Sequence, residues 1–155
     1  MRATTRRTTQ IRTMAALAIG ALALSGCTSD GKAASSTSPS ASKPPPAANG
    51  TNVAACAAGR CEVQVSASTK IPVPRDTRVD SVQIQSITAD TVTVVGRVLG
   101  TRSEGLCTGR KCSSSVAGGR FTLQLGPDST GTENGLSVTV VTITGKTAII
   151  RFGPV

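Results

Sequence analysis

The residues best suited to chemistry in this 155-residue chain are its five cysteines, Cys27, Cys56, Cys61, Cys107 and Cys112. The last four fall into two pairs of equal spacing, Cys56-Ala-Ala-Gly-Arg-Cys61 and Cys107-Thr-Gly-Arg-Lys-Cys112. Three chemistries fit such pairs. Four thiolates could hold zinc, for which C-x4-C lies within the usual ligand spacing. A dithiol redox centre more often shows C-x-x-C, which is absent from these pairs. In an oxidising compartment an even number of cysteines forms disulfides. The compartment therefore decides among them.

Other candidate chemistry is sparse. The chain has no His, so the commonest general base and transition-metal ligand is missing. Its later acidic residues are Glu62, Asp76, Asp80, Asp90, Glu104, Asp128 and Glu133. A carboxylate pair can run hydrolysis without His, but no spacing unites two of these. Asp90, Asp128 and Glu133 are expected in turns, where Asp supports tight bends. Ser103 and Ser113-Ser114-Ser115 lack a neighbouring base. A Ser-Lys dyad would need Lys70, Lys111 or Lys146, and no spacing supports one. Gly118-Gly119 is a weak phosphate loop because no helix follows. Phe121 and Phe152 are the only aromatic residues, which argues against modules that stack sugars or single-stranded nucleic acid on rings. The expectation is a non-enzymatic chain with no cofactor, no metal and no nucleic-acid partner.

The compartment is read from the amino terminus. Arg2, Arg6, Arg7 and Arg12 precede residues 14–24, MAALAIGALAL, with no acidic residue among them. A cationic stretch followed by a short apolar one is a secretory signal. It is too short to span a membrane permanently, which takes about 20 apolar residues. Arg6-Arg7 lacks the apolar residues that usually accompany a twin-arginine signal, so the general secretory route is favoured. Leu24-Ser25-Gly26-Cys27 then resembles the lipobox of bacterial lipoproteins, position by position. The resemblance covers the first 27 residues. It implies diacylglyceryl on the Cys27 sulfur, cleavage after Gly26 and optional acylation of the new amino terminus. Two acyl chains anchor stably where one binds only marginally. The expected location is the extracytoplasmic face of the cell membrane, with the lipid as the membrane partner.

Four cysteines remain for an oxidising environment, so disulfides are expected. Local pairing, Cys56 with Cys61 and Cys107 with Cys112, is favoured because neighbours lose least entropy on joining. Crossed pairings remain open. The loops are short, so each bond is expected to contribute about 2 kcal/mol.

The elements that hold these residues follow from composition. Residues 1–26 form the signal, 27–52 the lipidated cysteine and a linker, and 53–155 a domain. The linker holds Pro44-Pro45-Pro46 and no large aliphatic residue, so it cannot bury enough surface to order itself. As a coil it spans about 25–30 Å. Residues 53–155 are rich in Val, Ile, Leu and Thr in short runs without helical period, which is β composition. Strands are expected over 62–68, 69–73, 81–88, 91–99, 120–125, 136–144 and 147–152. The expected fold is all-β, a small sandwich or barrel of six or seven strands.

The domain also repeats itself, as copies over about 56–99 and 107–152. The cysteine pairs recur, and Lys70-Ile71-Pro72-Val73 recurs as Arg120-Phe121-Thr122-Leu123. Val82-Gln83-Ile84-Gln85-Ser86-Ile87-Thr88 recurs as Val138-Thr139-Val140-Val141-Thr142-Ile143-Thr144, and each is followed by a two-residue link and a strand. In both copies the third apolar residue falls on the wrong face, which a bulge between the second and third would correct. An internal duplication with pseudo-twofold symmetry follows. The whole chain resembles the small lipoproteins common in actinobacteria, a class that carries over no activity; Arg outnumbers Lys by 12 to 5, as in GC-rich genomes.

The net charge is +9. Within the domain the excess lies between Arg97 and Arg120, where Arg97, Arg102, Arg110, Lys111 and Arg120 face Glu104 alone. Arg102, Arg110 and Lys111 are the expected anion-binding residues, since Arg donates two parallel hydrogen bonds to phosphate. The expected partner is a protein or an anionic envelope polymer. The alternative is a carboxylate-dependent envelope hydrolase or transferase.

Overall fold

A computed structural model describes residues 45–155. Apart from a short 3-10 helix, Val53–Ala58, its regular elements are strands, in chain order β1 Cys61–Ser66, β2 Lys70–Ile71, β3 Val79–Ile87, β4 Val92–Val98, β5 Gly105–Thr108, β6 Cys112–Ala117, β7 Arg120–Leu125, β8 Ser129–Glu133, β9 Leu136–Thr144 and β10 Thr147–Pro154. They make two five-stranded antiparallel sheets, β1-β10-β9-β8-β5 and β2-β3-β4-β7-β6. The sheets form an open sandwich, so of the two expected β architectures the sandwich is the one adopted.

Alternation drives the layering. In β7 Phe121, Leu123 and Leu125 are buried while Arg120 and Gln124 are exposed; in β4 Val92 and Val94 are buried, and β9 buries Leu136, Val138 and Val140. These inward rows interlock with Val63, Ile84 and Ile150 as one core. Fully burying a Val, Leu or Phe contributes about 1.5–3 kcal/mol, and nineteen buried apolar side chains form the core cluster.

The seven expected strands are present, but β5, β6 and β8 bring the count to ten. The domain also starts earlier than expected. Disorder through Asn52 is corrected: Ala47 is buried, the Asn49 N–H donates to Glu62 O (2.9 Å), and the Gln64 N–H donates to Gly50 O (2.7 Å). Residues 49 and 50 thus cover the outer edge of β1. The Asn49 side chain accepts from the Glu62 N–H and Asn52 caps the 3-10 helix, so polar groups order a segment that lacks apolar ones. The signal, Cys27 and the linker up to residue 44 lie outside the described residues.

The twofold repeat is present in topology and register. In one sheet the order β2-β3-β4-β7 matches β8-β9-β10-β1 in the other, always antiparallel. Residue n of β3 and β4 corresponds to n+56 in β9 and β10, and residue n of β1 and β2 to n+60 in β7 and β8; the registers then coincide. Both expected bulges occur, between Ile84 and Ser86 and at the equivalent place between Val140 and Thr142, and Ile87 and Ile143 pack against the core. The left-handed residues Ser68 (φ 66°) and Asp128 (φ 57°) are equivalent, and their N–H groups donate to the equivalent carbonyls of Ile84 and Val140. At these turns the chain steps from one sheet to the other.

Part of the expected repeat is corrected. The cysteine pairs are not equivalent: Cys61 opens β1, whereas Cys107 and Cys112 sit on β5 and β6, which are inserted between the copies. Phe121–Leu125 corresponds to Cys61–Val65, not to residues 70–73. The matching text is Glu62-Val63-Gln64-Val65 with Thr122-Leu123-Gln124-Leu125. The copies are therefore 61–99 and 121–155.

Candidate functional site

Both disulfides are the local ones, Cys56–Cys61 (Cα–Cα 4.9 Å) and Cys107–Cys112 (Cα–Cα 5.5 Å). The sulfurs are consumed in bonds, so neither the thiolate zinc site nor the dithiol is built. Cys56–Cys61 ties the 3-10 helix to β1. Cys107–Cys112 joins the edge strand β5 of one sheet to the edge strand β6 of the other at one point.

Three of the acidic residues are engaged, each separately. Glu62 bonds Arg151 (2.5 Å). Asp90 pairs with Lys111, and the Lys111 ammonium, then the Thr88 and Thr91 hydroxyls, hold its carboxyl below the ordinary value of 3.8. Glu133 is not in a turn as expected but ends β8, 2% exposed, where it accepts from the Ser103 hydroxyl. Asn134 beside it accepts from the Glu104 N–H (2.8 Å) and donates to Arg102 O (3.1 Å), pinning the 99–104 connection to the β8–β9 turn.

The expected anion-binding residues are exposed and lie on two connections. Arg102 lies on the 99–104 connection, Arg110 at the β5–β6 turn, and Lys111 is neutralised by Asp90. None of the three lines a cleft described here.

A different set of cations is gathered by the sheets. Gly96 faces inward on β4 against the ring of Phe121, where a Cβ would collide with that ring and with Ser81 O. This close approach fits the register in which Gly96 opposes Phe121, and the next residues, Arg97 and Arg120, stand directly opposite on the outer face. Such side chains start about 4.5–5.5 Å apart at Cβ. Like charges directly opposed destabilise a sheet, and neither Arg has a salt-bridge partner among the described residues. On the same face Ser81 opposes Arg97, and Lys70 opposes Gln83, which opposes Val95. Lys70, Gln83, Arg97 and Arg120 line one groove of about 330 Å³. Asp80, lifted out by a bulge between Val79 and Ser81, also lines it but bonds none of the cations. The groove has three positive groups and one negative. Donors dominate it, and its chemistry is reception of an anion with several oxygens.

Two other clefts have less chemistry. A larger one of about 480 Å³, between Pro45, Pro46, Thr144 and Ile149, has no ionisable lining residue. Another surrounds the satisfied Arg151–Glu62 pair and adds Arg60 as a single unpaired cation. Size therefore does not mark the site; the gathering of three unpaired cations does.

Arg97 and Arg120 were legible as part of a cationic stretch, but their adjacency was not, because 22 residues separate them and only the β4–β7 register joins them. Lys70 lies outside that stretch, and nothing in the sequence marked it as an anion ligand. No family model matches the chain, and no curated protein or solved structure matches it.

Proposed function

We propose that this chain is a non-enzymatic lipoprotein, anchored through Cys27 at the extracytoplasmic face of the cell membrane, that binds a phosphate-bearing anionic envelope component. The signal and lipobox residues support the location. One observation carries the binding: Arg97 and Arg120 stand opposed and unneutralised in a groove shared with Lys70. A like-charge pair is tolerated at a cost, and a phosphate group between two guanidinium forks turns that cost into attraction.

Long-chain inorganic polyphosphate is a suitable probe, titrated by calorimetry against the detergent-solubilised full chain. Binding is expected at low salt and weakens as screening shortens to about 8 Å near 0.15 M. Arg97→Gln with Arg120→Gln reduces affinity at least about tenfold, each lost charge-assisted bond contributing about 1.5–3 kcal/mol. The triple change Arg102→Gln, Arg110→Gln and Lys111→Gln leaves most of the binding. Equal affinity of the double variant and wild type overturns the groove as the site. Palmitate labelling tests the anchor, and equal labelling of wild type and Cys27→Ala refutes it.

A further inference from the structure

A two-sheet sandwich has four outer edges, and each presents unpaired backbone donors and acceptors that invite another strand. Three are managed here. The β1 edge is covered by residues 49 and 50. The β2 edge is two residues long and leads into Pro72 and Pro74. The β5 edge is four residues long, preceded by Glu104 and followed after Gly109 by Arg110 and Lys111.

The fourth edge differs. β6 is six residues long and reads Cys112-Ser113-Ser114-Ser115-Val116-Ala117, without a charge or a proline. Residues 113–117 are exposed, including Val116 at 43%. It pairs with β7 on one side, and no other backbone hydrogen bond among the described residues engages 112–117. The two-residue Gly118-Gly119 turn makes Ala117 and Arg120 a hydrogen-bonded pair. By alternation Ser113 and Ser115 also bond β7, which turns the N–H and C=O groups of Ser114 and Val116 outward.

We propose that β6 is a pairing edge whose occupant is β6 of a second copy of this chain, related by a twofold axis at Ser115. In that register Ser114 lies opposite Val116 of the second copy and Val116 opposite its Ser114. The four outward-turned N–H and C=O groups of Ser114 and Val116 on each strand are then paired. The strand meets itself without like-charge repulsion, because it has no charge, and its serines are small enough for either face. The two β2-β3-β4-β7-β6 sheets become one continuous ten-stranded sheet. The contact is isologous and closes as a dimer.

The test is sedimentation of the full chain in detergent, across concentration, without any polyanion present. Wild type is expected as a concentration-dependent dimer. Ser114→Pro removes an outward N–H and leaves the β7 ladder intact, since Pro is tolerated where an edge N–H faces solvent; it is expected to be monomeric, with circular dichroism confirming an unchanged fold. Ser115→Lys and Ser115→Glu each place like charges together on the axis and weaken the dimer at least about tenfold, whereas an equimolar mixture of the two restores it. A monomeric wild type, the result if another protein or the chain's own N-terminal residues occupy the edge, overturns the proposal. So does a dimer unaffected by these changes or a charge-swapped mixture that stays monomeric.

Discussion

Gly96 admits no side chain, since a Cβ there would meet the Phe121 ring and the Ser81 carbonyl together. Gly96→Ala is therefore expected to destabilise the domain by about 1–3 kcal/mol through overpacking, read as a lower urea midpoint at constant m. Nearby, Arg120→Glu exchanges a repulsive cross-strand pair for an attractive one. Urea unfolding should show a gain of about 0.2–1 kcal/mol, while polyphosphate affinity falls. An opposite sign for either change would mean the two side chains do not share the groove. Asp90 gives a pH prediction. Its folded pKa is depressed, so its small contribution to stability is present above the unfolded value of 3.8 and fades as pH falls through the folded one. Lys111→Ala removes the leading cause, and the Asp90 carboxyl shift, followed by NMR, should titrate closer to 3.8.

The hairpins β3–β4 and β9–β10 were readable because Val, Ile and Thr alternate along them and slip by one residue at the same place in each. Their bulges follow from the hydrophobic pattern alone. β5, β6 and β8 were not readable. They are built from Gly, Ser and Thr, which supply no alternation of apolar and polar groups, and they form because a neighbouring strand offers a ladder. The cysteine pairs misled for a related reason: equal spacing matched two loops that the fold uses differently. Cys107–Cys112 bridges β5 and β6 across the sheets, so its removal should act locally. Cys107→Ser with Cys112→Ser is expected to cost about 2 kcal/mol. Amide exchange should quicken in β5 and β6 and change little in β9, which lies inside its sheet. Uniform loss of protection would contradict this assignment.

At the scale of the whole molecule the two copies interleave. β1 of the first joins the hairpin of the second, and β7 of the second joins the hairpin of the first. Neither copy holds a complete sheet, although each was legible as a unit in the sequence. The exchange was hidden because the registers are set by long-range pairing, which no local spacing encodes. The groove shares that origin, as Arg97 comes from one copy and Arg120 from just before the other. A fragment ending at residue 99 is expected to show no cooperative unfolding transition by circular dichroism, and a folded one would mean the copies are independent.

The pairing of β1 with β10 has a consequence in time. The first strand waits for the last, so one sheet cannot be completed until residues 147–154 are available. Closing a loop that nearly spans the domain places its folding among slow, high-contact-order reactions, in milliseconds to seconds. In a chain emerging amino terminus first, β1 must wait for β10, while the β2-β3-β4-β7-β6 sheet has all its strands available earlier. Without β10 the ladders of β1 and β9 lack their shared partner, and a chain interrupted before residue 147 is expected to be cut readily by proteases.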